Sequence, residues 1–311
     1  MLVYRAPESA RKPQLKAPAA FWGRSRRSRR ASRLSKTSNA DRTVFSASFR
    51  IVDGGHVVRT LRGLTREYGR SILTGKANLG YCPICERRTI FVESGPWLRD
   101  QYLCVRCRSI PRWRALIHTL NLEFPNWREL KIHESSPMGP ASRKLRREAP
   151  AYSASQYLLP DVPRGSVVGN VTCQDLEALS FADNSFDLFI TQDVLEHVLR
   201  PELAVKEIAR VTGPGGAHVF TVPIHRGRRT LVRAIPAGSG IEHLHPPRYH
   251  GNPVDPNGSL VVREWGDDFV DFVAEHIGLQ TEAHQFHDRR LGLDGEYLEV
   301  FVTRGPLRRQ P

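Results

Sequence analysis

From about residue 130 onward, short apolar runs alternate with stretches of helical periodicity, and this alternation leaves the chain few ways to fold. LKIHES (130–135) reads as a strand, and GPASRKLRREA (139–149) as a helix ended before Pro150. AYSASQY (151–157), the valine-rich SVVGNVTC (166–173) and FDLFITQ (186–192) read as further strands. PELAVKEIARV (201–211) is a helix opened by Pro201, GGAHVFTV (215–222) a strand, and DDFVDFVAEHIG (267–278) a helix closed by glycine. Such a βαβ rhythm buries strands on both faces, so the sheet is expected to be parallel and covered by helices. QTEAHQFH (280–287) and EYLEVFVTR (296–304) have no helix between them. They are predicted to pair as an antiparallel hairpin through LGLDG, which gives seven strands with an antiparallel last strand.

Ahead of this region the pattern differs. Cys82-x-x-Cys85 and Cys104-x-x-Cys107 are separated by 18 residues, which fits zinc-ribbon spacing. Each pair presents two sulfurs to one ion, and two pairs complete a tetrahedron. Four thiolates leave no open coordination position, so the zinc is expected to be structural; an iron centre uses the same ligands. Binding in such small modules supplies roughly 10–16 kcal/mol of folding energy. RRTIFVES and QYLC read as the ribbon's short strands, and Cys173, with no partner at ligand spacing, as a buried core residue. The expected organisation is a basic tail over 1–50, a helix within 51–77, the ribbon over 78–110, a connecting helix over 111–128 (RWRALIHTLNLEF at its centre) and the main α/β domain over 129–305.

The chain has 311 residues and a formal charge of +14. Residues 1–50 hold 13 Lys/Arg against Glu8 and Asp41, so the tail carries +11 of that charge. A run such as RSRRSRRASR cannot bury enough apolar surface to fold. It reads as a solvated tail, a nucleic-acid-binding arm or a transit-type segment. The remainder is only mildly basic and carries no stripe of interleaved basic and aromatic residues, which counts against a dedicated RNA surface. No run approaches the ~18 apolar residues of a membrane span. Paired Cys-x-x-Cys motifs point to a reducing compartment, and a cytoplasmic protein is expected.

The most informative stretch is 172–223, TCQDLEALSFADNSFDLFITQDVLEHVLRPELAVKEIARVTGPGGAHVFTVP. It resembles the class I S-adenosylmethionine (SAM)-dependent methyltransferases, in their type 11-like branch. The shared pattern is D-x-x-x-L-x-F-x-D-x-S-F-D, then a D-V-L-E-H block, then E-x-x-R-V-x-x-P-G-G. The resemblance implies a Rossmann-like seven-stranded sheet with an antiparallel last strand, SAM as cofactor, and ligands held outside the carboxyl ends of the strands. It places Asp175 and Leu176 beside the adenine, and Gln192 and Asp193 in the same crevice. Leu195, Glu196 and His197 then fall at the boundary between the methionine end of SAM and the acceptor. The glycine-rich turn after the first strand departs from the family pattern. Gly139 matches its last glycine, Ser135 and Pro137 stand at the first two, His133 replaces the acid, and Glu134 offers a carboxylate from the next position. Gln156 stands where an acid usually holds the ribose hydroxyls.

Methyl transfer from a sulfonium is an in-line displacement, in which holding the nucleophile near the methyl carbon supplies up to roughly 7–11 kcal/mol. Residues 223–258 form a long insert with His225, His243, His245, Tyr249 and His250, read as an acceptor lid. His197, His225 and His250 are the candidate catalytic residues, because histidine exchanges protons near neutral pH. The expected function is methyl transfer to an O or N atom of a small-molecule, sugar or lipid acceptor. Two alternatives stay open at this point: an RNA methyltransferase that uses the basic tail, and a non-enzymatic zinc-ribbon binding protein on a silent methyltransferase scaffold. Nothing in the sequence sets an oligomeric state.

Overall fold

The ribbon opens the described chain with β1 (Ala77–Cys82), β2 (Arg87–Glu93), a one-turn helix α1 (Leu98–Gln101) and β3 (Tyr102–Cys104). The computed structural model describes residues 69–158, 162–238, 240–252 and 255–306. All of these belong to one unit, Val52–Pro311. The basic tail and most of the 51–77 segment expected to hold a helix lie outside the described residues; 69–73 are helical. β1, β2 and β3 pair antiparallel in that order. α2 (Pro111–Glu123) follows, with proline in its first turn, where a missing N–H breaks no helical bond.

The main domain runs β4 (Ile132–Ser135), α3 (Gly139–Glu148), β5 (Tyr152–Gln156), β6 (Val167–Val168), β7 (Val171–Cys173), β8 (Leu188–Gln192), α4 (Pro201–Thr212) and β9 (Ala217–Thr221). The insert contributes β10 (Leu231–Val232), β11 (Ala234–Ala237), β12 (Gly240–His243), β13 (Tyr249–His250), β14 (Ser259–Leu260) and β15 (Arg263–Glu264). α5 (Phe269–Ile277), β16 (Thr281–His284) and β17 (Val300–Arg304) complete the order. The central sheet runs β16-β17-β9-β8-β4-β5-β7-β6. β9, β8, β4, β5 and β7 are parallel neighbours, while β17 is antiparallel to both β9 and β16. This is the architecture of class I methyltransferases.

Alternation within strands sorts the core onto two faces. Leu188, Ile190, Ala217, Val219, Val300 and Val302 face α2, α3 and the ribbon, in one buried cluster with Cys82, Phe91, Tyr102 and Cys104. Phe189, Phe220 and Phe301 face α4 and α5, packed with Ile208, Phe269 and Trp265. The ribbon therefore shares its core with the sheet. Cys173 is fully buried, as expected.

Two expectations are corrected. SVVGNVTC is not one strand: Gly169, at φ +62°, turns the chain so that β6 folds back on β7, and the sheet has eight strands rather than seven. The last two strands are not joined by a tight turn either. β17 begins only at Val300, and the preceding segment crosses to the ribbon. Tyr81 N–H donates to Arg290 O at 2.7 Å, Asn78 Nδ2 donates to Arg289 O at 2.7 Å, and Arg289 pairs with Glu93 and Asp294 at 2.6 Å each. The outer edge of β1 would otherwise be an unpaired strand edge, and this segment satisfies it.

Candidate active site

The four ribbon cysteines are all free thiols, and one sulfur from each lies within 4.8 Å of every other. Cys82 and Cys107 sulfurs are 3.7 Å apart, and Cys85 and Cys104 sulfurs 4.0 Å. A tetrahedron of Zn–S bonds near 2.3 Å has edges of about 3.8 Å, so the donor set fits zinc. Ser109 Oγ lies 3.5 Å from Cys82 Sγ and 3.1 Å from Cys107 Sγ. Arg114 reaches the same hydroxyl at 3.2 Å, and it also donates to the carbonyls of Ser109, of Tyr102 at 2.7 Å and of Gly292 at 2.6 Å. Burial pushes the Arg114 guanidinium down to about 10, which leaves it cationic at neutral pH. It is a buried positive charge beside a tetrathiolate site, tying ribbon, α2 and the 288–295 segment together.

A second clamp joins the ribbon to the sheet. Asp193, at the end of β8, adopts φ +51°, a left-handed conformation that aspartate tolerates better than most residues. Arg99 Nη2 donates to its Oδ2 at 2.6 Å, and Arg112 Nη1 donates to the same oxygen. Thr221 Oγ1 donates to Oδ1 at 2.9 Å. Burial alone would push this carboxyl up; Arg99 and Arg112 overcome it and hold the group well below the usual carboxylate range.

The residues expected to hold SAM fall along one edge of the sheet. Glu134 and Ser135 end β4, Gln156 ends β5, Asp175 and Leu176 follow β7, and Gln192 and Asp193 end β8. These strands are neighbours in the order β8-β4-β5-β7, and the chain leaves β4 in opposite directions on its two sides, which makes a switch point. Their environments differ. Glu134 is fully buried and accepts from Ser142 Oγ at 2.7 Å, Gln192 Nε2 at 2.7 Å and Tyr152 OH at 2.6 Å. Burial raises its pKa despite these donors. Gly139, at φ +78°, opens α3, and a Cβ there would lie 2.4 Å from the Trp113 ring. Its glycine thus admits an indole from α2. His133, in place of the family's acid, is sealed between Ser153 Oγ at 2.8 Å and Ser155 Oγ at 2.9 Å, with burial pushing it down to about 3. Asp175 Oδ1 accepts from Glu177 N–H at 2.9 Å.

Beside this edge, toward β8 and β9, lies a cavity of about 630 Å³. Trp97, Arg99, Asp100 and Arg112 form its ribbon wall, Gln192, Asp193, Glu196 and His197 its floor, and Arg248, His250, Arg263 and Glu264 its insert wall. His225 and Tyr297 close one end. All three candidate histidines line this one space. His197 Nδ1 pairs with Leu260 O at 2.8 Å, so that nitrogen carries the proton and Nε2 faces Glu196 Oε1 at 3.9 Å. His250 packs edge-on to His197 at 5.1 Å, and burial pushes it down to about 4. His225 Nδ1 lies 3.2 Å from Tyr297 OH, and burial lowers its pKa. His243 and His245, in contrast, do not line the cavity.

Sequence reasoning placed Glu196 on the acceptor-boundary loop but gave it no chemical role, which went to the histidines. It is 2% exposed, and among the described residues both carboxylate oxygens lack a hydrogen-bond partner. Burial first, and the charge of Asp193 next, push it up to about 8. Gln192 Oε1 is likewise buried and unpartnered. The D-V-L-E-H block marked the loop, but only three-dimensional burial separates a glutamate that faces solvent from one that faces a cavity.

Comparison with known proteins gives the same class. Residues 148–220 match the family model described as a methyltransferase domain, and the chain carries that domain. A demethylmenaquinone methyltransferase of Renibacterium salmoninarum is 40% identical over 83 residues, which cover 24% of this chain and 35% of that protein. A ubiquinone biosynthesis O-methyltransferase of Coxiella burnetii is 31% identical over 81 residues, covering 26% of this chain and 34% of that protein. The chain thus spans about a third of the length of the curated relatives it matches. A solved S-adenosylmethionine-dependent methyltransferase from Mesorhizobium loti aligns with a TM-score of 0.40 at 18% identity, over 61% of this chain and 97% of that one. Among the described residues, no helix is long and apolar enough to cross a membrane.

Proposed function

We propose that this chain transfers the methyl group of SAM to an O or N atom of a small-molecule acceptor held in the cavity between the ribbon, the ends of β8 and β9, and the insert. The observation that carries this reading is the adjacency of two sites. The β8 end of the β8-β4-β5-β7 edge, through Gln192 and Asp193, also lines the polar cavity, so a nucleoside along the edge would present its reactive end to whatever fills the cavity.

The residues present fit SAM. Two buried polar atoms near the glycine turn lack partners among the described residues: Trp113 Nε1, a donor, and Gln192 Oε1, an acceptor. An amino-acid moiety carries both a carboxylate and an ammonium, and these atoms suit the two in turn. Gln156, Asp175 and Leu176 would hold the nucleoside end. When bound, SAM supplies an activated methyl on sulfur. The chain's own residues do the rest: Arg99 and Arg112 fix Asp193 and so the β8 turn, the insert covers the cavity, and the buried titratable groups handle the acceptor's proton.

The printed functions of the two curated relatives concern quinones, which supports a small-molecule acceptor. The cavity's volume of about 630 Å³ and its polar lining favour that reading over a macromolecule. Five unpaired cysteines support a reducing, cytoplasmic setting. Calorimetry with S-adenosylhomocysteine tests the proposal: the zinc-loaded protein should bind it, and Asp175→Ala should weaken binding by about tenfold, the loss of roughly one charge-assisted hydrogen bond. No binding by the intact protein would leave the chain a methyltransferase domain without the activity.

A further inference from the structure

The cavity's hydrogen-bonding state describes its ligand. Four arginines line it, Arg99, Arg112, Arg248 and Arg263, and so do four carboxylates, Asp100, Asp193, Glu196 and Glu264. The cations are committed. Arg99 and Arg112 hold Asp193, Arg248 Nη1 donates to Glu264 at 2.8 Å, and Arg263 faces Glu202 at 3.8 Å. An anionic acceptor would compete with these carboxylates for the same guanidinium groups, and a cationic one would meet four of them. A neutral acceptor meets neither obstacle.

What the cavity leaves open is a set of acceptors. Among the described residues, Glu196 Oε1 and Oε2 are buried without partners, and Arg263 Nε is a buried donor without one. Groups that both donate and accept satisfy such a set, and hydroxyls do so. One wall is aromatic: Trp97 is 41% exposed and lies 5.9 Å from the Tyr297 ring, with its Nε1 turned to Asp100 Oδ2 at 3.3 Å. The face of an indole beside a row of hydrogen-bonding groups suits a saturated ring that bears hydroxyls, because its C–H face packs on the aromatic while its edge is read by polar atoms.

We propose that this cavity binds a neutral polyhydroxylated ring of the glycoside type, and that Glu196 takes the proton from the hydroxyl that is methylated. The inference rests on the methyl-transfer reading above and names its acceptor class. In the step, a lone pair of the acceptor oxygen forms the O–CH3 bond, the C–S bond breaks with its electron pair kept by sulfur, and the O–H proton passes to the Glu196 carboxylate. The products are a methyl ether and the neutral thioether S-adenosylhomocysteine; Glu196 then returns its proton to solvent. The flanking groups are suited to this role. His197 Nε2, on the same turn, is an unprotonated nitrogen, His250 stays neutral, and Asp193 is neutralised by its arginines, so Glu196 is the carboxylate left to accept a proton.

The test uses the zinc-loaded full chain saturated with S-adenosylhomocysteine. Methyl glycosides, phenol, benzylamine and benzoate are titrated by saturation-transfer NMR. A glycoside should bind and the other three should not, and Trp97→Ala should weaken it about tenfold. With SAM and the bound glycoside, Glu196→Gln should lower kcat by roughly a hundredfold or more while KM changes little. The wild type should gain rate with rising pH up to about 8, the value to which burial and Asp193 raise Glu196, and the variant should lose that limb. Preference for phenol, benzylamine or benzoate, or undiminished turnover by Glu196→Gln, would overturn the inference. Retained S-adenosylhomocysteine binding with no glycoside binding removes the acceptor class alone; loss of S-adenosylhomocysteine binding removes the methyl-transfer reading and this step with it.

Discussion

The ribbon wall and the insert wall of the cavity are held by different forces. The ribbon wall stands on a four-cysteine cluster, a fully buried Arg114 and an apolar core continuous with the sheet. The insert wall stands on short strands, four of them only two residues long, tied by three arginines that converge on one carboxylate. Arg228, Arg233 and Arg248 reach Glu264 at 2.7, 3.0 and 2.8 Å. Apolar packing does not weaken with salt, whereas partly exposed ion pairs do. The ribbon wall is therefore expected to hold under salt that loosens the ion pairs of the insert wall.

Removing the metal should break this comparison most completely. Chelation or Cys104→Ala should lower Tm by more than ten degrees, since a share of roughly 10–16 kcal/mol of ligation energy is lost from a ribbon that has no core of its own. Hydrogen exchange should then speed up in α2 and across the sheet face beneath it. If protection fell in the ribbon alone, the shared core would not couple the two.

Asp193→Asn should have the next largest effect, because it leaves the buried Arg99 and Arg112 with only the partly exposed Asp100 as a carboxylate partner. A loss of roughly 3–5 kcal/mol in chemical denaturation is expected. Asp193 also sets a pH dependence. Its folded pKa is lowered, so its stabilisation is present above its unfolded value of about 3.9 and fades as pH falls toward the folded one. The wild type should lose stability on acidification below about pH 4–5, and the variant should lose less.

Glu264→Gln sharpens the contrast. It should cost about 1–2 kcal/mol, since Arg228 and Arg248 are half-exposed and screened. Exchange should accelerate over 231–264 with the ribbon unchanged, and high salt should partly reproduce the effect in the wild type. Equal acceleration in both walls would contradict their independence.

The smallest effect has the opposite sign. Glu196 has a folded pKa raised to about 8, so folding is fully favourable below its unfolded value and weakens as pH rises toward 8. Glu196→Gln should therefore raise the Tm of the ligand-free protein by a few degrees, most clearly above pH 8, and hardly at all near pH 4.

The parts of the molecule with periodic sequence were legible in advance. β4, β5, β8 and β9 and helices α3, α4 and α5 lie where apolar spacing and proline or glycine boundaries put them. The Cys-x-x-Cys spacing anticipated a cluster whose sulfurs meet, because ligand geometry is local. The split of 166–173 was less legible: a valine run reads as one strand, and the turn at Gly169 shows only when β7 has a partner on each side. The segment before β17 misled for a similar reason. Its Gly-rich LGLDG looks like a hairpin turn, but the glycines admit Phe91 of the ribbon at Gly292 and the Arg99 backbone at Gly295.

The sequence by itself determined which residues stand at strand ends, since alternation and strand length follow from local chemistry. It put Glu134, Gln156, Asp175 and Gln192 on one edge and left them equal in kind. Tertiary structure decided what each carboxylate faces. Glu134 meets three donors, Asp193 meets one arginine from the ribbon and one from α2, and Glu196 meets neither among the described residues. The reason is physical: the charge state of a buried group depends on what distant parts of the chain bring against it, and that information lies in no local pattern.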